Sequence, residues 1–330
     1  MTSNNPAIPA PVRRPWLARM HPGLFAMPLG LMGLAAAWQR LVPLGITVGN
    51  PVSFYLFAIA LVLLAILLLL WFAKLLRHPA DLREEWQHPV QSALLALIPL
   101  SLLMAIAIVA PFAPGLVAIW RPVTFAALTV QGLLTWQVVA RLSAGRMPAD
   151  LITPALYLPT VGGGLVGALT LDALGLHGWA ALLVGMGLGA WALLEMRILN
   201  RLFTGPLPRA LRPSIGMEIA PGAVGSLAVA TLWPALPVEV LMLCLGVASG
   251  PLLAVLTRWR DWTGVAFSAG FWSFSFPLAA MAGATVEAVR RGAWPPQVAL
   301  GAVAIVSVVV AFLAVRTLSL LLRGRLLPSQ

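Results

Sequence analysis

Charged residues are scarce in this sequence of 330 residues, of which only 9% are Asp, Glu, Lys or Arg. An average soluble globular domain carries about 25%. Cysteine is almost absent, and the single Cys244 excludes an internal disulfide and thiol-pair redox chemistry. The sequence also lacks a phosphate-binding glycine loop with its lysine, an Asp-rich prenyl-phosphate motif, and a nearby set of Ser, His and acid. These absences argue against a soluble domain and against an enzyme, and nothing in the sequence indicates a cofactor.

Apolar residues are abundant instead, at 60% of the chain with a mean hydropathy of +0.94. The apolar runs have the length of membrane helices rather than of barrel strands. We predict an all-α polytopic membrane protein with a cytoplasmic N-terminal tail (1–20), a ten-helix transmembrane domain (21–323) and a cytoplasmic C-terminal tail (324–330). The predicted spans cover about 22–42, 52–75, 90–112, 116–140, 151–174, 178–200, 211–233, 236–257, 263–285 and 297–320.

The basic residues indicate the topology. With the N-terminus inside, seventeen of the 21 Lys and Arg residues fall on the cytoplasmic side, and only Arg40, Arg121, Arg290 and Arg291 fall outside. This bias predicts a protein of the cytoplasmic membrane, in contact with the lipid bilayer, with both termini in the cytoplasm. Because the basic residues are spread singly between apolar runs, the net charge of +11 does not indicate nucleic acid binding.

Proline recurs with the period of a helical hairpin. Every odd-numbered span contains one, whereas the even-numbered spans have prolines only near their ends or none. This recurrence predicts five related hairpins, with an inner ring of five kinked odd-numbered helices around a central pore and an outer ring of even-numbered helices. The helix kinks are predicted at Pro28, Pro99, Pro159, Pro221 and Pro277.

Glycine is also frequent on the odd spans, although the sixth span has several. Small inward side chains would leave room for a narrow channel, and its water could satisfy the backbone carbonyls that bent helices free. The alternative is that glycine and proline are simply common in membrane helices, where small residues allow close helix contacts. The candidates for a small pore lining are Gly30, Gly33, Gly162, Gly163, Gly164, Gly222 and Gly225.

Within the ninth span, the stretch 264–283 divides into two unlike faces when read at 100° per residue. One face carries the bulky Phe267, Phe271, Phe274, Leu278 and Met281, and the other is lined by small residues with Phe276 as its one ring. Pro277 follows directly and predicts a bend there. We therefore predict Phe276 as a pore gate, against the alternative of an ordinary packed aromatic helix. Other possible gate or lining residues are Phe271, Phe274, Trp272, Ala269 and Ala280.

Glu218 is an acid within the seventh predicted span. An intramembrane carboxylate is costly and is a functional candidate by default, so it could accept a proton for anion-coupled transport. The favoured alternative places it near the cytoplasmic edge, paired with an arginine such as Arg212. The four histidines are far apart and lack metal-ligand spacing, so no metal site is predicted. His88 is interpreted as a capping or interfacial residue.

Four motifs resemble one family. They are HPVQSALLALIP (88–99), TPALYLPTV (153–161), LRPSIGMEIAP (211–221) and FWSFSFP (271–277). They are similar to the tellurite-resistance and dicarboxylate transporter family, which includes TehA, the slow-type anion channels of plant guard cells and microbial dicarboxylate carriers. The resemblance implies a homotrimer whose subunits each have five hairpins around their own pore. It also implies passage of small anions and a plug formed by a phenylalanine of the ninth helix, matched here by Phe276.

These observations lead to a functional hypothesis with two alternatives. The hypothesis is a gated channel that passes small monovalent anions, with inorganic or organic anions as its partners. The first alternative is a proton-linked carrier or exporter of tellurite or C4-dicarboxylates. The second is an integral-membrane enzyme, which would need clustered ionisable side chains.

Overall fold

The structure, a computed structural model, describes residues 15–327, whose regular elements are all helices. Most of the predicted N-terminal tail and the last residues of the C-terminal tail lie outside the described residues. Ten helical segments of the described part are long and apolar enough to cross a membrane, as predicted. They are Pro22–Leu44, Gly49–Arg77, Pro89–Phe112, Pro114–Ser143, Pro154–Ala173, His177–Phe203, Arg209–Leu232, Val238–Thr257, Ala269–Arg291 and Pro296–Leu322, numbered here as the first to the tenth span.

The even spans are long, uninterrupted α-helices. In the most apolar stretch of each, only 17 to 28% of the residues are buried inside the protein. Their exposed side chains are mainly Leu, Ile, Val, Phe and Trp, which suits contact with lipid. The α-helices are Gly49–Arg77, Val117–Ser143, His177–Phe203, Val238–Thr257 and Pro296–Leu322.

The odd spans are built in two parts, an irregular first part followed by an α-helix. The first parts are the 3-10 helix Pro22–Phe25, the short α-helix Pro89–Leu94, the 3-10 helix Pro154–Tyr157 with the π-helix Leu158–Gly162, and the 3-10 helices Arg209–Ile219 and Ala269–Phe274. The α-helices that follow are Ala26–Gln39, Leu97–Val109, Gly163–Ala173, Ala220–Leu232 and Ser275–Arg291.

Short helices complete the chain. They are Val42–Leu44, Ala110–Phe112 and Pro114–Leu116 at the ends of spans, and Pro79–Gln87, Ala149–Leu151 and Trp259–Thr263 in the connections between spans.

The recurrent prolines mark the junctions between the two parts of the odd spans. Pro28, Pro99 and Pro277 are the third residues of their α-helices, Pro221 is the second residue of its own, and Pro159 is the second residue of the π-helix. Proline is tolerated in a first helical turn because the amide there has no partner within the helix. The prolines therefore begin new helical segments, and the expectation of a kink inside a continuous α-helix is corrected.

Outer helices satisfy backbone carbonyls at the irregular junction of the fifth span. Gln131 of the fourth span donates from Nε2 to the carbonyl oxygens of Leu158 and Pro159, at 2.9 and 3.1 Å. Thr135 donates from Oγ1 to the same Pro159 oxygen at 2.6 Å. The expectation that pore water would satisfy freed carbonyls is corrected here, because protein side chains do so.

The odd spans contact one another in a closed cycle. The first span packs on the third, the third on the fifth, the fifth on the seventh, the seventh on the ninth, and the ninth on the first. In the most apolar stretch of each odd span, 67 to 83% of the residues are buried. The predicted all-α class with ten helices of membrane-spanning length is confirmed, and the odd helices are more buried than the even ones.

The ninth span runs over Ala269–Arg291, whereas its predicted limits were 263–285. Residues 265–268 have no regular helical structure. At its other end the helix continues through charged residues, where Glu287 accepts hydrogen bonds from Arg290 and from Arg40 of the first span. Mutual neutralisation allows this charged turn to remain helical beyond the apolar stretch.

We call the end of the bundle at which the odd spans begin the basic end. Here Lys74 is fully buried, and its Nζ donates to Glu85 Oε1 and to the Met20 carbonyl, both at 2.6 Å. Met20 and Leu17, in the predicted N-terminal tail, are buried against the bundle. Burial and the nearby charges of Lys74 and His88 lower the pKa of His21 to about 4. His21 is therefore uncharged at neutral pH.

His88 caps the third span, as predicted. Its Nδ1 accepts hydrogen bonds from the backbone amides of Val90 and Gln91, at 3.2 and 3.3 Å. Two amides without a partner in the first helical turn are thus satisfied. His21 does the same for Gly23 at the start of the first span, at 3.0 Å.

Gly164 sets the distance between the fifth and sixth spans. A Cβ at this position would lie 2.8 Å from Gly187 Cα and 2.8 Å from the Leu183 carbonyl oxygen, and neither backbone atom can rotate away. We expect Gly164→Ala to destabilise the protein by about 1–3 kcal/mol through overpacking. The measurement is thermal unfolding in detergent micelles. Gly185→Ala is the matched control, since its Cβ would meet nothing within 4 Å; equal stability of the two variants would contradict this packing.

Gln131 provides the second stability test. Gln131→Leu keeps a similar volume but removes the side-chain donor to the Leu158 and Pro159 carbonyls. These oxygens keep bonds from the Gly163 amide and from Thr135 Oγ1, so we expect a loss of about 0.5–1.5 kcal/mol. The control is Thr129→Val on the same helix, because the exposed Thr129 hydroxyl bonds only to the Phe125 carbonyl of its own helix. Unfolding in detergent should show a lower midpoint for Gln131→Leu alone, and an unchanged midpoint would refute the role of Gln131.

Candidate functional site

A small cavity lies at the centre of the inner ring and is bordered by all five odd spans. Leu29, Leu100, Leu165, Val224 and Phe276 contribute one wall each. Its volume is about 30 Å³. A cavity needs roughly 10–15 Å³ to hold one water molecule, so about two would fit. The bundle therefore has a central space that is too small for a hydrated ion.

The lining of this cavity is almost entirely apolar. Tyr157 contributes the only hydroxyl or charged group among the lining side chains. Its hydroxyl is directed to Glu195 of the sixth span and donates to Oε2 at 2.5 Å. No fixed charge thus faces the cavity, and a narrow apolar constriction of this kind excludes water.

The Phe276 ring is held between the first and ninth spans at one wall of the cavity. Its side chain is only 8% exposed. A Cβ at Gly33 would lie 2.9 Å from Phe276 Cδ2 and 3.2 Å from Ala279 Cβ. The absence of a side chain at Gly33 therefore makes room for the ring, which borders the cavity.

The other phenylalanines of the ninth span lie elsewhere. Phe271 and Phe274 line a larger groove of about 390 Å³ between the eighth, ninth and tenth spans, together with Phe267 and Leu278. The Phe267 and Phe271 rings stack at 5.4 Å, and the Phe271 and Phe274 rings at 6.4 Å. The bulky face of the helix is thus turned away from the central cavity, and only Phe276 among these rings borders it.

The remaining candidates on the ninth span do not border the cavity. Trp272 is buried and donates from Nε1 to Thr317 Oγ1 of the tenth span at 2.8 Å. Ala280 is buried in the core, and Ala269 packs half-buried against it. These residues join the ninth span to its neighbours.

The candidate glycines fall into two groups. Gly162 and the proline Pro221 border the cavity. The others meet neighbouring helices, as a Cβ added at each position shows: Gly30 faces Ser275, Gly33 faces Phe276, Gly163 faces Gln131, Gly164 faces Gly187, Gly222 faces Ala248 and Gly225 faces Leu188. Gly163, Gly164 and Gly222 allow close contact between helices, which was the alternative explanation for the small residues.

Glu218 contradicts the expected pairing with an arginine. It is 2% exposed, and neither carboxyl oxygen has a hydrogen-bond partner among the described residues. Its electrostatic neighbours include Glu195 and Arg258, but Arg258 donates to the Leu202 carbonyl instead. The preceding residue, Met217, borders the central cavity. Glu218 is therefore a buried acid close to the cavity but outside its lining.

Sequence reasoning missed a cluster of arginines at the opposite end of the bundle. Arg40 donates to Glu287 Oε1 at 2.9 Å and to Thr231 Oγ1 at 3.1 Å, and thereby joins the first, seventh and ninth spans. Arg290 and Arg291 lie 2.7 and 3.8 Å from Glu287 Oε2. Three positive charges face one carboxylate, so the cluster is positive overall. Each of these residues could be recognised in the sequence as a charge outside the apolar runs. Their wide separation along the chain gave no sign that they meet.

Comparison with known proteins agrees with this architecture. Residues 19–319 match the SLAC1 family, described as voltage-dependent anion channel. The tellurite resistance protein TehA homolog of Haemophilus influenzae is 28% identical over 310 residues, covering 92% of this chain and 91% of that protein. The guard cell S-type anion channel SLAC1 of Arabidopsis thaliana is 26% identical over 85% of this chain, and S-type anion channel SLAH2 is 24% identical over 83%.

The match to the plant proteins is partial on their side, since the chain spans about half of their length. The family match, in contrast, covers nearly all ten spans and the residues that border the central cavity. The chain is a multi-pass membrane protein that belongs to the voltage-dependent anion channel family.

Proposed function

We propose that the protein is a gated anion channel whose path runs along the axis of the inner ring and is closed by Phe276. The observation that carries this proposal is the central cavity of about 30 Å³, which all five odd spans border and which the Phe276 ring lines. An apolar constriction of this size blocks ions by bulk and by loss of water. The described conformation is therefore the closed one.

The distribution of charge supports selection for anions. The cavity lining has no fixed charge, so chemical identity is weakly recognised there. Positive charge is concentrated at the ends of the bundle. Arg40, Arg290 and Arg291 outnumber Glu287 at the opposite end, and the connections at the basic end carry further arginines. Positive mouths over a neutral constriction attract anions and repel cations. Monovalent anions suit this path because a single charge costs less to dehydrate than a double one.

The names of the relatives support the same class of function. Two plant relatives are named S-type anion channels, and the bacterial relative is named for tellurite resistance. We further propose a location in the cytoplasmic membrane with the basic end in the cytoplasm, as the positive-inside rule favours. A homotrimer is proposed on family resemblance.

Phe276→Ala is the direct test of the gate. Removal of the six ring carbons should open the constriction and raise the chloride or nitrate current about tenfold or more. A tenfold rise corresponds to a barrier lowered by about 1.4 kcal/mol. The measurement is planar-bilayer recording of purified protein. Phe274→Ala is a matched control on the same helix, because Phe274 is equally buried, at 8% exposed, but borders the other groove.

The control defines the outcome that would contradict the gate. We expect Phe274→Ala, and likewise Phe271→Ala, to keep the low current of the wild type. Equal currents from Phe274→Ala and Phe276→Ala, in protein that is folded by size-exclusion chromatography, would remove the assignment to Phe276.

The alternative function is a proton-linked carrier of tellurite or a C4-dicarboxylate, and the buried, unpartnered Glu218 is the observation that favours it. The same recordings distinguish the two functions. The reversal potential of a channel follows the anion gradient alone, whereas that of a proton-linked carrier moves with a pH gradient. A reversal potential that shifts with the pH gradient at a constant anion gradient would contradict the channel and support the carrier.

A further inference from the structure

The Glu218 carboxyl group is enclosed by protein without a compensating partner. The side chain lies at the end of the irregular first part of the seventh span, Arg209–Ile219, and is 2% exposed. Both of its oxygens are buried without a hydrogen-bond partner among residues 15–327. A buried carboxylate without a donor or a cation is far more costly than the neutral acid.

A second acid lies within electrostatic range but in a different environment. Glu195 of the sixth span accepts hydrogen bonds at Oε2 from the Tyr157 hydroxyl at 2.5 Å and from Trp191 Nε1 at 2.7 Å. Two acids this close repel each other when both carry a charge, so Glu195 adds to the cost of a negative charge on Glu218.

The other elements around Glu218 bring little positive charge to it. Arg258, at the end of the eighth span, is its one cationic electrostatic neighbour, and its Nη2 donates to the Leu202 carbonyl at 3.2 Å. Asp261, in the helix Trp259–Thr263, is exposed, and its backbone carbonyl accepts a hydrogen bond from Arg212 Nη1 at 3.4 Å. The first part of the ninth span, Ala269–Phe274, has no ionisable side chain.

We propose that Glu218 is a proton-binding site and that loss of its proton reduces anion flow through the adjacent cavity. The first statement stands on the burial of Glu218, and the second rests on the proposed channel function. The chemistry is reversible binding of one proton to a carboxylate oxygen, and it needs no other reactant.

The geometry links this proton to the anion path. Met217 and Ala220, on either side of Glu218 in the sequence, both border the cavity, as does Tyr157, the hydrogen-bond donor of Glu195. A charge on Glu218 would thus lie behind one layer of side chains in a region of low dielectric constant. An anion in the cavity would be repelled there, and repulsion at short range is weakly screened.

The sign of the effect follows. At low pH Glu218 is neutral and the anion meets no negative charge from it. As pH rises and the proton leaves, the negative charge opposes passage, so the current falls. Glu218→Gln has nearly the same shape and is neutral at every pH, so it should hold the current at its low-pH level.

The test uses the full-length chain with Phe276→Ala, which supplies a measurable current. We expect the chloride current to fall several-fold as pH rises from acid to alkaline, and Glu218→Gln in the same background to abolish this fall. Glu239→Gln is the control, since Glu239 is an exposed acid in the first turn of the eighth span, at the opposite end. It should leave the fall intact. A fall that persists in Glu218→Gln would overturn the proposal.

Infrared spectroscopy of the purified protein gives a readout that does not depend on current. At neutral pH the wild type should show the C=O absorption of a protonated carboxylic acid, which is absent from Glu218→Gln. An identical absorption in both proteins would overturn the proton site. If Phe276→Ala carries no current, the channel function fails, whereas this spectrum still decides whether Glu218 holds a proton.

Discussion

In hydrocarbon every backbone amide and carbonyl needs a partner from the protein, and the two-part odd spans exist within this constraint. Their irregular first parts break the regular α-helical pattern in the interior of the bundle. Such segments are tolerated where neighbours satisfy them, and Gln131 and Thr135 of an outer helix do so for Leu158 and Pro159. The fourth span, an outer helix, therefore does more than face lipid, because it stabilises the junction of the fifth span beside the central cavity.

Much of the fold could be predicted because its causes are local. Long apolar runs fix the spans, and the recurrence of Pro28, Pro99, Pro159, Pro221 and Pro277 indicates which helices lie inside. The two faces of the ninth span distinguish Phe276 from Phe271 and Phe274, and the cavities show the same division.

Other features depend on contacts that the order of residues does not reveal. Which neighbours Gly164 contacts depends on how the sixth span packs. The donor to the Pro159 carbonyl lies on another helix. Kinks were expected at these junctions because the sequence does not show whether a proline lies in the first turn of a helix or in its middle. Glu218 was expected to meet an arginine, but Arg258 is engaged by a backbone carbonyl instead.

Neutral side chains line the proposed path, and the charged side chains lie outside it. Positive residues at both ends would attract anions, the apolar constriction would exclude hydrated ions, and Glu218 would add a negative charge behind the lining only when it loses its proton. Each part acts through the inner ring, so the location of the anion path is the central claim.

Cysteine accessibility tests this claim most directly, because Cys244 is the only native cysteine. In a Cys244→Ser, Phe276→Ala background, a Leu100→Cys substitution places a thiol on the cavity wall, and Leu182→Cys places one on the exposed face of the sixth span. An anionic methanethiosulfonate reagent in the recording solution should reduce the anion current of Leu100→Cys and leave that of Leu182→Cys unchanged. A current that persists at full size after Leu100→Cys is shown by mass spectrometry to be modified would contradict a path through the inner ring.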